Sequence, residues 1–298
     1  MIPRALPACF DRKVARLPDH GVLLYATDLQ GNLADFERLV ALYDAEEAAG
    51  NHPTLALCGD LVHGPSPDLA EPGAWPDHLG TPYRDQSAAL IRRFEALTRT
   101  HRMFSLLGNH EHAHIGGPVV PKFWPDEAAV LDAALGPDRD RIHTFLRRWP
   151  LLAVGRCGVV LTHGAPGMTC PDLDAFEALD YAGYEAVSIN HMYRHDVVGA
   201  LLWSRAATDA QAAALLEATA LDGEPNAFVA FGHDVVHEGY ELTGDRQICL
   251  STSYGLFDRD KVYLRLDLDR RYHSVRELRP GVEIRPLYGS TSQQPSPS

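Results

Sequence analysis

The stretch YATDLQGN, residues 25–32, is an apolar run that stops at Asp28, turns through Gly31 and Asn32, and opens onto LADFERLVALYDAEEAAG. Upstream, GVLLYATD (21–28) has the aliphatic and β-branched content of a buried strand. Downstream, Leu33, Phe36, Leu39, Val40 and Tyr43 fall at the spacing of one helix face, with Asn32 as cap and Gly50 as stop. A second apolar run, TLALCGD (54–60), follows, so the segment reads β-α-β. Such a unit carries Asp28 to the carboxyl end of a strand, the place where α/β sheets build their sites.

The same reading extends along the chain. MFSLLGN (103–109), GVVLTHG (158–164), AFVAFGHD (227–234), QICLSTS (247–253) and KVYLRLDLD (261–269) are further candidate strands. Residues 85–100, 140–149 and 209–221 carry helical patterns. Helices alternate with strands early and strands dominate late, which implies mixed sheets covered by helices, an α/β fold in four αββα layers. Pro and Gly concentrate at 64–82 and 116–125, as in long excursions over strand ends. The domain expectation is an N-terminal extension at 1–20, one domain over 21–287 and a disordered tail at 288–298, YGSTSQQPSPS.

Composition narrows the function classes. A net charge of -13 without clustered Lys and Arg argues against a nucleic-acid partner. No apolar run approaches the roughly 20 residues of a membrane span, and the N-terminus lacks an apolar signal core, so the expectation is a cytoplasmic chain without a membrane partner. Five cysteines form no CxxC pair and read as reduced, structural thiols. Nothing in the sequence demands association, and a monomer is expected.

The chemistry lies in strand-end residues taken together. Asp28, Asp60, Asn109, His163 and His233 each close a separate apolar strand, and four of the five neighbour a glycine. A sheet that gathers these ends places carboxylate, amide and imidazole donors in one crevice. That donor mixture suits divalent ions such as Mn2+, Fe or Zn2+, and a pair of ions can clamp the oxygens of an in-line displacement at phosphorus.

The ordered motifs TDLQGN, GDLVHGP, GNHEH, LTHG and FGHD resemble the five blocks of the calcineurin-like metallophosphoesterases. LLWSR (201–205), GHDVVHEGYEL (232–242) and STSYGLFDRDK (251–261) resemble its serine/threonine phosphoprotein phosphatase branch, in its bacterial and phage form. The resemblance spans about residues 21–270. It implies a phosphomonoester hydrolase working through metal-bound hydroxide, with a phosphorylated protein or a small phosphoester as substrate. Metal one would be held by Asp28, Gln30 and Asp60, and metal two by Asp60, Asn109, His163 and His233. Mn2+ is the expected ion, with Fe, Zn2+ or Mg2+ as alternatives. His110 resembles the acid that protonates the leaving group, and Arg205 the clamp on the phosphoryl oxygens.

Three positions depart from that pattern. Gln30 stands where the family has His, which implies a weaker first metal. His63 and Gly64 stand where it commonly has Asp and Arg, removing the usual partner of His110 and one phosphate clamp. Arg194 is a candidate substitute clamp. Glu111 reads as a loop support, and His112 and His114 as a polar loop at the crevice rim or, alternatively, as extra metal donors. GDLVHGP also resembles the symmetrical dinucleotide polyphosphate (Ap4A-type) hydrolases, and the three departures equally suit a non-catalytic binding protein.

Overall fold

The computed structural model describes residues 9–289; most of the expected tail, and the first eight residues of the expected extension, lie outside the described residues. Eleven strands are formed: β1 (Val14–Arg16), β2 (Val22–Ala26), β3 (Pro53–Leu57), β4 (Met103–Ser105), β5 (Leu152–Val154), β6 (Val159–Thr162), β7 (Phe228–Phe231), β8 (Tyr240–Thr243), β9 (Gln247–Leu250), β10 (Val262–Asp267) and β11 (Ile284–Pro286). The helices are α1 (Leu33–Ala48), α2 (Ser87–Leu97), α3 (Asn109–His112), α4 (Glu127–Leu135), α5 (Arg139–Leu146), α6 (Leu173–Glu177), α7 (Ile189–His195), α8 (Val197–Trp203) and α9 (Asp209–Ala218). All seven strands and all four helices expected from the sequence are present. The added strands are three or four residues long, and β11 contains Pro286.

The strands form two mixed sheets, one ordered β11-β10-β2-β3-β4 and the other β1-β5-β6-β7-β9-β8. In the first, β2, β3 and β4 run parallel, so Asp28, Asp60 and Asn109 leave the same sheet edge. In the second, β6, β7 and β9 run parallel and send His163 and His233 off theirs. β1 pairs in parallel with β5, so the second sheet begins within the segment read as an extension.

Side-chain alternation shows how the sheets meet. Leu23, Tyr25, Ala56, Phe104 and Leu264 of the first sheet share one buried cluster with Ala153, Leu161, Phe228 and Ile248 of the second, and no α-helix contributes to it. The alternate residues Leu24, Leu55 and Leu57 pack instead with Phe36 and Leu39 of α1 and Phe94 of α2, and Val229 with Leu215 of α9. Because successive side chains of a strand point to opposite faces, one face of each sheet meets the other sheet and the opposite face meets helices. This is the αββα sandwich expected. Central strands such as β2, β3 and β7 are therefore buried on both faces, which is why they read as unbroken apolar runs.

The first turn of α1 is fastened by Asp35, which is 1% exposed. It accepts from Asn32 Nδ2 at 2.9 Å, Tyr288 Oη at 2.6 Å, Ser253 Oγ, and the buried Lys261 ammonium at 2.8 Å. Lys261→Ala leaves a buried carboxylate without its counter-charge and is expected to lower unfolding stability by about 3–5 kcal/mol. Denaturant unfolding checks this, and Asp35→Asn in the same chain should recover part of the loss.

Candidate metal centre

The loops after the strands are bent sharply to aim their side chains. Asp28 (φ 50°), Gln30 (φ 39°), Asp60 (φ 52°), His63 (φ 67°) and His233 (φ 66°) all adopt left-handed backbone. A non-glycine residue pays about 1–3 kcal/mol for such a conformation, so the surrounding contacts must hold it. Two glycines make those contacts possible. A Cβ on Gly59 would come within 2.4 Å of Gly108 N, where the Asp60 and Asn109 loops touch. One on Gly232 would come within 2.5 Å of Asp28 Oδ2, whose carboxylate accepts from His233 N–H at 3.1 Å. Glu111 locks the arrangement by accepting from the N–H groups of Asp60 (2.8 Å), Leu61 (2.7 Å) and Gly108 (3.2 Å). It is a loop support, as its sequence position suggested.

Four donors converge where metal two was expected. His163 Nε2 lies 2.9 Å from Asn109 Oδ1, 3.1 Å from His233 Nδ1 and 3.5 Å from Asp60 Oδ1. The other ring nitrogen of His163 is 2.8 Å from the Cys58 carbonyl, which can only accept. The proton is therefore assigned to Nδ1, and Nε2 turns a lone pair into the cluster. Burial pushes the pKa of His163 down and that of His233 well down, so both rings are neutral. An amide oxygen, a carboxylate and two imidazole nitrogens thus face one point, a donor set that fits a divalent cation.

The first metal position is different. Asp28 and Asp60 are both buried, with carboxyls pushed up to about 6 and about 7, chiefly by burial. Gln30 is buried beside them, clamped through its backbone: its N–H donates to Asp60 O at 2.8 Å and its carbonyl accepts from Tyr83 Oη at 2.9 Å. Its side-chain Oε1 accepts at 2.8 Å from the ammonium of Lys122, which the 116–125 loop carries in. Lys122 is an exposed residue overall, but its ammonium is turned inward. Withdrawal from water lowers its pKa to about 8, while the charges of Asp60, Asp28 and Glu127 act in the opposite direction. Lys122 carries no sequence signal beyond the Pro- and Gly-rich character of its loop.

His110, expected as the acid, is fully inside. Its N–H donates to Asp60 Oδ1 at 3.1 Å and its Nε2 lies 3.7 Å from Asp60 Oδ2. Its Nδ1 faces two groups, His63 Nδ1 at 2.9 Å and Glu127 Oε2 at 3.3 Å. Glu127, at the start of α4, thus brings a carboxylate to the ring whose usual acidic partner is replaced by His63; burial raises its own pKa to about 7. The chain of rings continues from His63 Nε2 to His114 Nε2 at 2.9 Å, and from His114 Nδ1 to Asp132 at 2.9 Å, which also meets His143 Nε2 at 2.8 Å. His112 and His114 are therefore buried rather than rim residues. His112 is the last residue of α3 and His114 follows its cap residue Ala113, so the two rings diverge and His112 turns to the Tyr181 carbonyl.

Position 64 has no room for a side chain. A Cβ on Gly64 would lie 2.5 Å from Gln30 O and 2.7 Å from Asp85 Oδ1. A cavity of about 320 Å³ opens there, lined by His63, Gly64, Arg92, Trp124, Glu127 and Leu131 among others. Arg205, just past α8, donates to His233 O at 3.1 Å and Asp234 Oδ1 at 2.7 Å with most of its side chain exposed, at the rim of the cluster. Arg194, in α7, donates instead to the neighbouring Tyr193 Oη at 3.0 Å.

The family model described as calcineurin-like phosphoesterase matches residues 22–262, and the chain belongs to that family. It is a hydrolase of the metallophosphoesterase class. Among solved structures it is similar to the cold-active protein-tyrosine phosphatase of a psychrophile Shewanella species, at 15% identity, TM-score 0.54, over 86% of this chain and 78% of that one. The I115M mutant of a cold-active protein tyrosine phosphatase gives 14% identity, TM-score 0.55, over 89% and 80%. A serine/threonine phosphatase of Saccharomyces cerevisiae gives 14% identity, TM-score 0.48, over 82% and 72%. For the two protein-tyrosine phosphatase structures, at these identities, the likeness is one of fold. No curated protein matches the chain in sequence.

Ion binding here requires ionised carboxylates, and Asp28 and Asp60 are protonated at lower pH because their pKa values are raised. Apparent Mn2+ affinity is therefore expected to fall as pH drops from 8 through about 7 and 6, with protons released on binding. Calorimetry in two buffers of different ionisation enthalpy measures that release; a pH-independent affinity would contradict it.

Proposed function

We propose that this chain is a metal-dependent phosphomonoesterase whose substrates are phosphoserine and phosphothreonine on proteins or small phosphoesters. The observation that carries this reading is the convergence of Asp60, Asn109, His163 and His233 lone pairs from four strand ends. A divalent ion bound by them, with Mn2+ the proposed choice, supplies Lewis-acid charge and lowers the pKa of water. Everything else is assigned to side chains of the chain itself.

His110 is the proposed acid. Its Nδ1 is held between His63 and Glu127, so its Nε2 is presented toward the Asp60 side, where the leaving oxygen would sit. Proton transfer from a positioned side chain typically contributes a factor of about 10²–10⁴. Arg205, together with Asn109, is the proposed contact to the phosphoryl oxygens. Its guanidinium is only partly engaged by Asp234 and keeps donors free for a bidentate contact. Arg194 lacks a comparable placement and is the weaker proposal for the same task. A monomer acting in the cytoplasm is proposed, without a nucleic-acid partner, in keeping with the charge of -13; among the described residues no helix is long and apolar enough to cross a membrane.

Hydrolysis of p-nitrophenyl phosphate by metal-stripped protein, titrated with Mn2+, Mg2+, Zn2+ and Fe2+, is the direct test. Turnover restored by an ion and lost in Asp60→Asn is expected; a folded chain with no turnover under any ion would favour a binding protein. Phosphoserine, phosphothreonine and phosphotyrosine peptides against Ap4A then rank the substrates, and a preference for Ap4A would replace the protein substrate. Glu127→Gln should lower kcat by about 10- to 100-fold with little change in KM, because it acts on the acid and not on binding.

A further inference from the structure

We propose that the Lys122 ammonium takes the place of the first metal ion, so that the resting chain holds one divalent ion and one built-in cation. The inference rests on the metallophosphoesterase reading above and concerns how its charge is supplied.

Three observations converge on it. Lys122 Nζ donates to Gln30 Oε1 at 2.8 Å, so the side-chain oxygen that Gln30 could offer to an ion already faces a cation. Lys has only donors, so the amide must turn its oxygen, not its nitrogen, toward the ammonium. The pairing of Lys with Gln thus replaces the pairing of ion with His that the motif would otherwise specify.

The ammonium also has a seat that a metal ion does not need. It lies 3.6 Å from the centroid of the Tyr254 ring, well inside the range of a cation–π contact, and 5.5 Å from that of Phe123. The Tyr254 ring is tied to the same strand end, because its backbone N–H donates to Asp28 O at 3.0 Å, and it packs edge-on against Phe123 at 6.1 Å. Cation, aromatic platform and acceptor are therefore assembled as one unit around Asp28 and Gln30.

The donor inventory is lopsided in the matching sense. Among the described residues, at least three ionisable donors converge at Asp60, His163 and His233, whereas Asp28 takes part in no such group. The first position offers one private carboxylate, a shared one and a neutral amide already engaged. An ion there would have to displace the ammonium and leave two like charges in one buried crevice. With Lys122 in place, a positive charge faces the incoming phosphoryl group from the side where Gly64 cannot supply an arginine.

The test counts ions rather than turnover. Metal-stripped wild type, Gln30→His, Lys122→Ala and the double variant are equilibrated with Mn2+, bound manganese is measured by elemental analysis, and spectra are recorded by electron paramagnetic resonance. Wild type and Gln30→His should each bind one ion with the spectrum of an isolated ion, and the double variant should bind two with an exchange-coupled spectrum. Two ions in wild type or in Gln30→His, or a single ion in the double variant, would overturn the proposal. Folding of each variant is checked by circular dichroism. A folded wild type that binds no manganese would sink the metallophosphoesterase reading itself, a result distinct from either count.

Discussion

Four carboxylates, those of Asp28, Asp60, Glu111 and Glu127, are buried around one crevice, and burial pushes all of them upward, to about 6 for Asp28 and about 7 for the other three. Like charges at such distances in a poorly hydrated interior cannot all stay ionised without positive charge nearby. The nearby histidines do not provide it, because burial pushes His63, His110 and His233 well below their usual range. The crevice therefore asks for cations from outside the sheet strands. Lys122 brings one on a loop, Arg205 brings another at the rim, and the lone pairs at His163 leave a place for a divalent ion.

The backbone around the crevice is shaped by the same demand. Asp28, Gln30, Asp60, His63 and His233 sit in left-handed conformations that side chains avoid, concentrated within the turns that leave β2, β3 and β7. Such strain persists only where contacts over-determine it, and the contacts are visible: Glu111 collects three backbone N–H groups, and Gly59 meets Gly108 closely enough to exclude any Cβ. Two sheets packed face to face supply the rigid floor, since their shared apolar layer fixes the relative positions of strand ends from both. Rigidity in the layer is what allows precision in the loops.

The environment of His110 shows how a motif can change without losing its chemistry. The position that would carry its acidic partner is His63, yet a carboxylate still reaches Nδ1, supplied by Glu127 from a helix 17 residues on from His110. The missing arginine at position 64 has a steric cause, because the Gln30 carbonyl and Asp85 fill the space. In each case the charge requirement of the crevice is constant, while the residue that meets it has moved.

The strand-end donors were legible in the sequence because each follows an apolar run and lies beside a turn residue, and strand burial alone decides where such residues emerge. The β-α-β opening and the seven expected strands follow from periodicity and residue type, while the grouping of Asp60, Asn109, His163 and His233 around one metal was implied by the family resemblance. The short strands β1, β5 and β11 were not legible, since each is three residues long, and β1 finds its partner β5 only far along the chain. Lys122, Glu127 and the burial of His114 were likewise hidden, because they enter from a loop and from α4, where no local pattern points inward. A sequence specifies what its own segment can bury; which distant side chain completes a charge balance depends on how layers and loops pack, and that only the tertiary structure decides.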